Sequence, residues 1–175
     1  VVEIAIVRQS PDGHRETWSS LVYPERTVGR RSYKIHGISD AMLQSAPLFT
    51  EVAETTTRLL SGAVIVAHNA PFDIGFLKME YAKAGIQLPE YGPVIDTLRL
   101  VRNIYQLPGN DLTSMAIRFG LHVKKAHRAR YDAHNTLMAF FSILGHLPTD
   151  GPLSPSSLNR LIKDYAPHGA HRKTL

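Results

Sequence analysis

The chain opens with VVEIAIV (1–7), already in strand register. After the Asp12-Gly13 turn signal, ETWSSLVY (16–23) reads as its antiparallel partner. Pro24 to Gly37 reads as a loop. From Pro47 to Leu60 the spacing becomes helical, with Phe49, Val52, Ala53, Leu59 and Leu60 on one face. The apolar run Ala63–Ala67 predicts a buried strand, followed by a sharp polar turn (His68, Asn69, Ala70, Pro71) and a helix over 71–84. That helix carries Phe72, Phe76, Leu77 and Tyr81 and stops at Gly85. Val94 to Asp96 is a short strand leading into a helix through Leu98, Leu100 and Ile104. Asp111 caps a further helix carrying Leu112, Met115, Ala116 and Phe119, which ends at Gly120. The longest helical pattern runs from His127 to Leu147 and buries Ala133, Leu137, Phe140, Phe141 and Leu144. Beyond a Pro- and Gly-rich loop (148–155), Ser156–Tyr165 reads as a terminal helix before a loose basic tail. A hairpin followed by alternating helices and strands predicts an α/β fold, a mixed sheet flanked by helices, with no internal domain boundary.

Composition narrows the picture only slightly. A chain of 175 residues, 43% of them hydrophobic, is sized for one globular domain with an adequate core. There are no cysteines, so disulfides and thiolate metal sites are excluded. No apolar run approaches the roughly 20 residues of a membrane helix, and no signal-peptide pattern opens the chain. A soluble, cytoplasmic protein without a membrane partner is expected. Opening inside a core strand is unusual, since termini are normally loose, and predicts that further residues precede Val1. The balance of 20 Lys plus Arg against 15 Asp plus Glu favours a polyanionic partner. The cations are clustered: Arg26, Arg30, Arg31 and Lys34; Lys124, Lys125, Arg128 and Arg130; Arg160, Lys163, Arg172 and Lys173.

Two places could carry chemistry. Asp73 sits on the first turn of a helix just beyond a strand's carboxyl end, where α/β proteins commonly hold ligands. Taken alone, an aspartate there more often caps or complements the helix dipole. In HRARYDA, His127 and Asp132 lie five residues apart, about 140° around a helix. They share a site only if His127 stands in the loop or first turn; the plain alternative is a surface histidine beside a solvated aspartate. Histidine suits proton transfer near neutral pH, and aspartate suits Mg²⁺ or Mn²⁺. His168 and His171 lie in the basic tail and carry no comparable pattern. Trp18 reads as core.

Taken together, VAHNAPFDIGFL (66–77), IDTL (95–98) and HRARYDA (127–133) resemble the DEDDh 3′–5′ exonuclease family, the group of the proofreading epsilon subunit of bacterial DNA polymerase III and RNase T. IHGIS (35–39), followed by Ala46-Pro47, is similar to the family's stretch before its second motif. The resemblance covers about 1–146 in order and spacing. It implies an RNase H-like fold, a five-stranded mixed sheet with helices on both sides, over a domain of residues 1–147, with 148–175 left as loop, helix and tail. It implies two divalent cations, Mg²⁺ or Mn²⁺, held by four carboxylates, of which Asp73 and Asp132 match two, with His127 as general base. Arg128 stands where the tyrosine-type subfamily needs Tyr, so the histidine type is implied. His36, Gly37 and Ile38 match the lining of the terminal-nucleotide pocket, where Ile38 either stacks on a base or simply packs. Asn69 and Phe72 are expected to orient the site and pack beneath it, and Asp96 to be structural.

The implied reaction is hydrolysis at the 3′ end of single-stranded or frayed nucleic acid, releasing nucleoside monophosphates, with proofreading beside a polymerase subunit as one setting. Two metals about 4 Å apart would clamp the attacking and leaving oxygens, and the basic residues would contact phosphates. The family's first motif, Asp-x-Glu on the first strand, is not in this sequence, and Glu3 reads as a second-strand glutamate rather than the lost ligand. That departure sustains a competing expectation: a non-catalytic module that binds nucleic acid or a polymerase on a degenerate exonuclease fold.

Overall fold

The computed structural model describes residues 1–105, 111–118, 120 and 128–146. Its elements are β1 (Glu3–Gln9), β2 (Arg15–Leu21), α1 (Arg30–His36), α2 (Asp40–Leu43), α3 (Phe49–Leu60), β3 (Ile65–Ala67), α4 (Ala70–Ala84), β4 (Val94–Asp96), α5 (Thr97–Tyr105), α6 (Leu112–Arg118) and α7 (Ala129–His146). The helix expected over 156–165 and the basic tail lie outside the described residues. Among the described residues, no helix is long and apolar enough to cross a membrane.

β1 and β2 pair antiparallel from Glu3↔Leu21 to Gln9↔Arg15. Their turn closes as expected: Asp12 Oδ1 accepts from the His14 N–H at 3.0 Å, and Gly13 takes φ +90°. β3 and β4 pair parallel, Ala67 opposite Asp96, with α4 as the crossover. Among the described residues there are four strands in two ladders, not five in one sheet. The expected first strand, which would pair beside β1, is not in the sequence, and no hydrogen bonds join β1 to β3. α7 packs on β1, β2 and β3 and so ties the ladders together.

Strand alternation explains how β1 serves two partners. Ile4 joins Trp18 against the core of Val22, Phe49, Val52, Ala53 and Tyr81, while its neighbour Glu3 reaches α7. The apolar face expected of α3 is buried at all five positions. Tyr81 sets its ring edge against Phe49 at 5.1 Å and its hydroxyl against Thr57 at 2.8 Å. A second core joins Val101, Met115, Ala139 and Ile143. Asp111 caps α6, accepting the Ser114 N–H at 2.9 Å.

Three expectations are corrected. The strand expected to be buried over Ala63–Ala67 forms only at Ile65–Ala67 and is half-buried, with Val64 exposed. The 24–37 segment is not all loop: α1 forms within it, and since α1 buries no residue it has no apolar stripe to betray it. Phe141, expected in the buried face of α7, is exposed; Phe140, Ile143 and Leu144 fill that face.

Candidate active site

The site is assembled where β3 and β4 end and where α4 and α7 begin. After Ala67 the chain turns sharply through Asn69, which sits in the left-handed region (φ +68°, ψ +51°) that asparagine tolerates better than most residues. Asp96, at the end of β4, fixes that turn. Its Oδ1 accepts the Asn69 N–H at 2.9 Å and the Leu98 N–H at 3.0 Å, and the residue is buried. His68 Nδ1 and Thr97 Oγ1 lie 3.1 Å apart and knit the two strand ends further. With the turn held, Pro71 enters the first turn of α4 without loss, and Asp73 follows in that same turn.

Asp73 is open to solvent by surface area yet crowded by protein on its inner side. Its carboxyl is pushed up to about 6, first by burial, then by the negative charges of Asp96 and Asp132, against a stabilising hydrogen bond from its own N–H. Because water reaches the group, screening reduces what that shift is worth to folding. The electrostatics show the essential arrangement: Asp132, in the first turn of α7, lies within the field of Asp73.

The start of α7 is anchored from β1. Glu3 accepts Arg128 Nη2 at 2.8 Å and Arg128 Nε at 3.2 Å, and its Oε2 accepts the Ala129 N–H at 2.7 Å. This carboxylate therefore binds both an arginine and an orphan backbone donor at a helix start, and it holds the Arg128 guanidinium up. Arg128, expected among the phosphate-contacting cations, is committed to this pair. His36 stands near the same pair. Burial holds its imidazole below the usual range, Glu3 pulls it up and Arg128 pushes it down. Its Nδ1 accepts the Ile38 N–H at 3.0 Å.

The remaining expected residues divide. Gly37 takes φ +69°, a conformation that favours glycine, and its N–H closes α1 on Tyr33 O at 2.8 Å. Ile38 is fully buried, so it packs and does not stack on a base. Phe72 does not pack beneath the site. It is 61% exposed, its ring edge-on to Phe76 at 4.7 Å, because the first turn of α4 projects it away from the core. Asn69 acts through its backbone. His127 lies outside the described residues, as do Lys124 and Lys125. Asp96, expected to be structural, is so; what the sequence did not show is which backbone groups Asp96 and Glu3 hold, their one signal being an acid inside or beside a strand, where an unpaired carboxylate is costly.

Asp73 and Asp132 offer hard oxygen donors in one field of negative charge, which suits a divalent cation. Among the described residues, no three acid or histidine side chains gather as a cation site.

Comparison with known proteins gives the family and the fold. The RNase T exonuclease family model matches residues 1–140. The chain is 34% identical over 149 residues to the DNA polymerase III epsilon subunit of Treponema pallidum, covering 83% of this chain and 69% of that one. It is 36% identical over 148 residues to the 3′–5′ exonuclease DinG of Bacillus subtilis, covering 84% of this chain and 16% of DinG. In fold it is similar to exonuclease X, solved in complex with 5′ overhanging duplex DNA, at a TM-score of 0.69 and 24% identity, over 93% of this chain and 90% of that one. The architecture is that of the RNase H-like exonucleases. The chain belongs to the RNase T exonuclease family, in its DEDDh 3′–5′ group of hydrolytic enzymes that use divalent metal ions.

Proposed function

We propose that the domain removes nucleoside 5′-monophosphates from the 3′ end of single-stranded or frayed nucleic acid, with two divalent cations, Mg²⁺ or Mn²⁺. The observation that carries this reading is the meeting of Asp73 and Asp132, from the starts of two different helices, in one electrostatic field. These two residues would supply two of the four carboxylates that hold the cations; the other two belong to the Asp-x-Glu motif, which this sequence does not contain. When bound, the cations supply the positive charge that balances the oxygens of a phosphodiester under attack.

The chain's own residues do the rest. Asp96 holds the turn that presents Asp73, and Glu3 holds the helix start that presents Asp132. Phe72 offers an exposed ring on which a terminal base can stack. His36 and Gly37 would line the pocket of the terminal nucleotide. His127, immediately before Arg128 in sequence, takes the proton of the attacking water. A role in proofreading beside a polymerase follows from the same reading, since a frayed mismatched end reaches the site more readily than a paired one.

The test is release of mononucleotides from 3′-labelled single strands by the full native chain in Mg²⁺ or Mn²⁺. Asp73→Asn and Asp132→Asn should each abolish it, and His127→Ala should cost several orders of magnitude. If the full chain binds the strand but leaves the label intact with either metal, the domain is a binding module and the reading is wrong.

A further inference from the structure

α1 has no internal reason to be a helix. It is seven residues long, far below the roughly 12–15 at which isolated helices become even marginal. None of its residues is buried, and Gly29 through Ile35 are all exposed. Its N-cap makes no side-chain bond, its first turn has no acid, and Arg30 and Arg31 stand at the end where the helix dipole disfavours cations. Tyr33 and Ile35 are 48% and 54% exposed. Surfaces of this kind are stabilised by what covers them.

Charge says what that is. Arg26, Arg30, Arg31 and Lys34 lie within nine residues that contain no acid. None of the four has a hydrogen-bonded or ion-paired partner among the described residues. The nearby acid Glu25 is taken by Lys83, and Asp40 accepts the Val28 N–H at 2.7 Å. At its far end the helix comes beside the Glu3–Arg128 pair that anchors α7. Gly37 closes it, His36 stands by the Glu3–Arg128 pair, and the next residue, Ile38, is buried.

We propose that α1 is the track for the single strand upstream of the terminal nucleotide. Arg30, Arg31 and Lys34 neutralise successive phosphates and Tyr33 stacks on a base. This deepens the exonuclease reading and rests on it for the position of the 3′ end, but its test needs no catalysis.

Binding of a 5′-labelled single strand of about 12 nucleotides is measured by fluorescence anisotropy, in EDTA, as a function of salt. The triple variant Arg30→Ala/Arg31→Ala/Lys34→Ala should bind at least about tenfold more weakly at low salt. Its slope of log affinity against log salt should be shallower by about 2, from roughly 0.7 per lost contact. Tyr33→Ala should weaken binding roughly tenfold with the slope unchanged. Because all four side chains are exposed, circular dichroism should show the fold intact. An unchanged affinity and slope in the triple variant would overturn the proposal and leave α1 to a protein partner. A wild type that binds in this way but cleaves nothing in Mg²⁺ or Mn²⁺ would uphold the track and sink the catalytic reading instead.

Discussion

Asp96 offers the sharpest separation of scaffold from chemistry. One oxygen of this buried carboxylate accepts two backbone N–H groups, from Asn69 and Leu98. Asp96→Ala leaves both donors without their partner. An unsatisfied buried donor costs about 1–3 kcal/mol, so the variant should lose about 2–4 kcal/mol in urea unfolding, without change in slope. Asp96→Asn keeps an acceptor oxygen in place and removes only the charge, so it should lose less than about 1.5 kcal/mol. The two variants also differ at a distance. Asp96 is one of two carboxylates that push Asp73 up to about 6, with burial the larger cause. In Asp96→Asn the midpoint of Asp73, followed by ¹³C NMR of its carboxyl, should fall below about 6 yet stay above the ordinary 3.8. An unmoved midpoint would refute the electrostatic coupling. Equal stability of Asp96→Ala and wild type would refute the turn-holding role.

Four further outcomes are expected. Glu3→Ala removes the partner of Arg128 and of the Ala129 N–H; it should cost about 2–4 kcal/mol by thermal or urea unfolding, and a double-mutant cycle with Arg128→Ala should show coupling above about 0.5 kcal/mol. Without divalent cations, Asp73 is raised in the fold, so the folded state binds its proton more tightly. Stability should therefore fall as pH rises from about 3.8 to about 6, by less than a fully buried group would give, which a melting series across that window checks. Mg²⁺ or Mn²⁺ at about a hundred times its dissociation constant should stabilise by about 2.7 kcal/mol, raising Tm by roughly 5–10 °C, and Asp73→Asn should remove most of that gain. Phe72→Ala should raise KM for single strands about tenfold while changing stability by about 1 kcal/mol or less, whereas Ile38→Ala, fully buried, should cost about 2–5 kcal/mol.

Periodicity revealed the elements whose stability comes from burial. α3 could be read from Phe49, Val52, Ala53, Leu59 and Leu60 because those side chains are what holds it, and the stops at Gly85 and Gly120 were legible because both glycines take positive φ. α1 escaped for the complementary reason: with nothing buried, it writes no stripe into the sequence. Ile38 and Phe72 show the same limit within the site. Each is an apolar residue in a motif, and no local spacing distinguishes the one that closes the core from the one left at the surface; tertiary packing decides. Asp73 and Asp132 were legible through motif order, but their shared field is a property of the fold.

The site then resolves into two kinds of carboxylate with opposite demands. A carboxylate that is to meet a cation must leave room for it and tolerate like charge nearby, which adds to burial in raising its proton affinity, as at Asp73. Holding the turn or helix start that presents it is a separate task. That task falls to acids that turn inward: Asp96 fixes the turn before α4, and Glu3 fixes the first residues of α7. Each inward acid sits at an end of a strand and each outward acid on the first turn of the helix it secures. Rigid strands thereby set the separation of two groups that repel each other, a geometry the pair could not maintain if carried on loops.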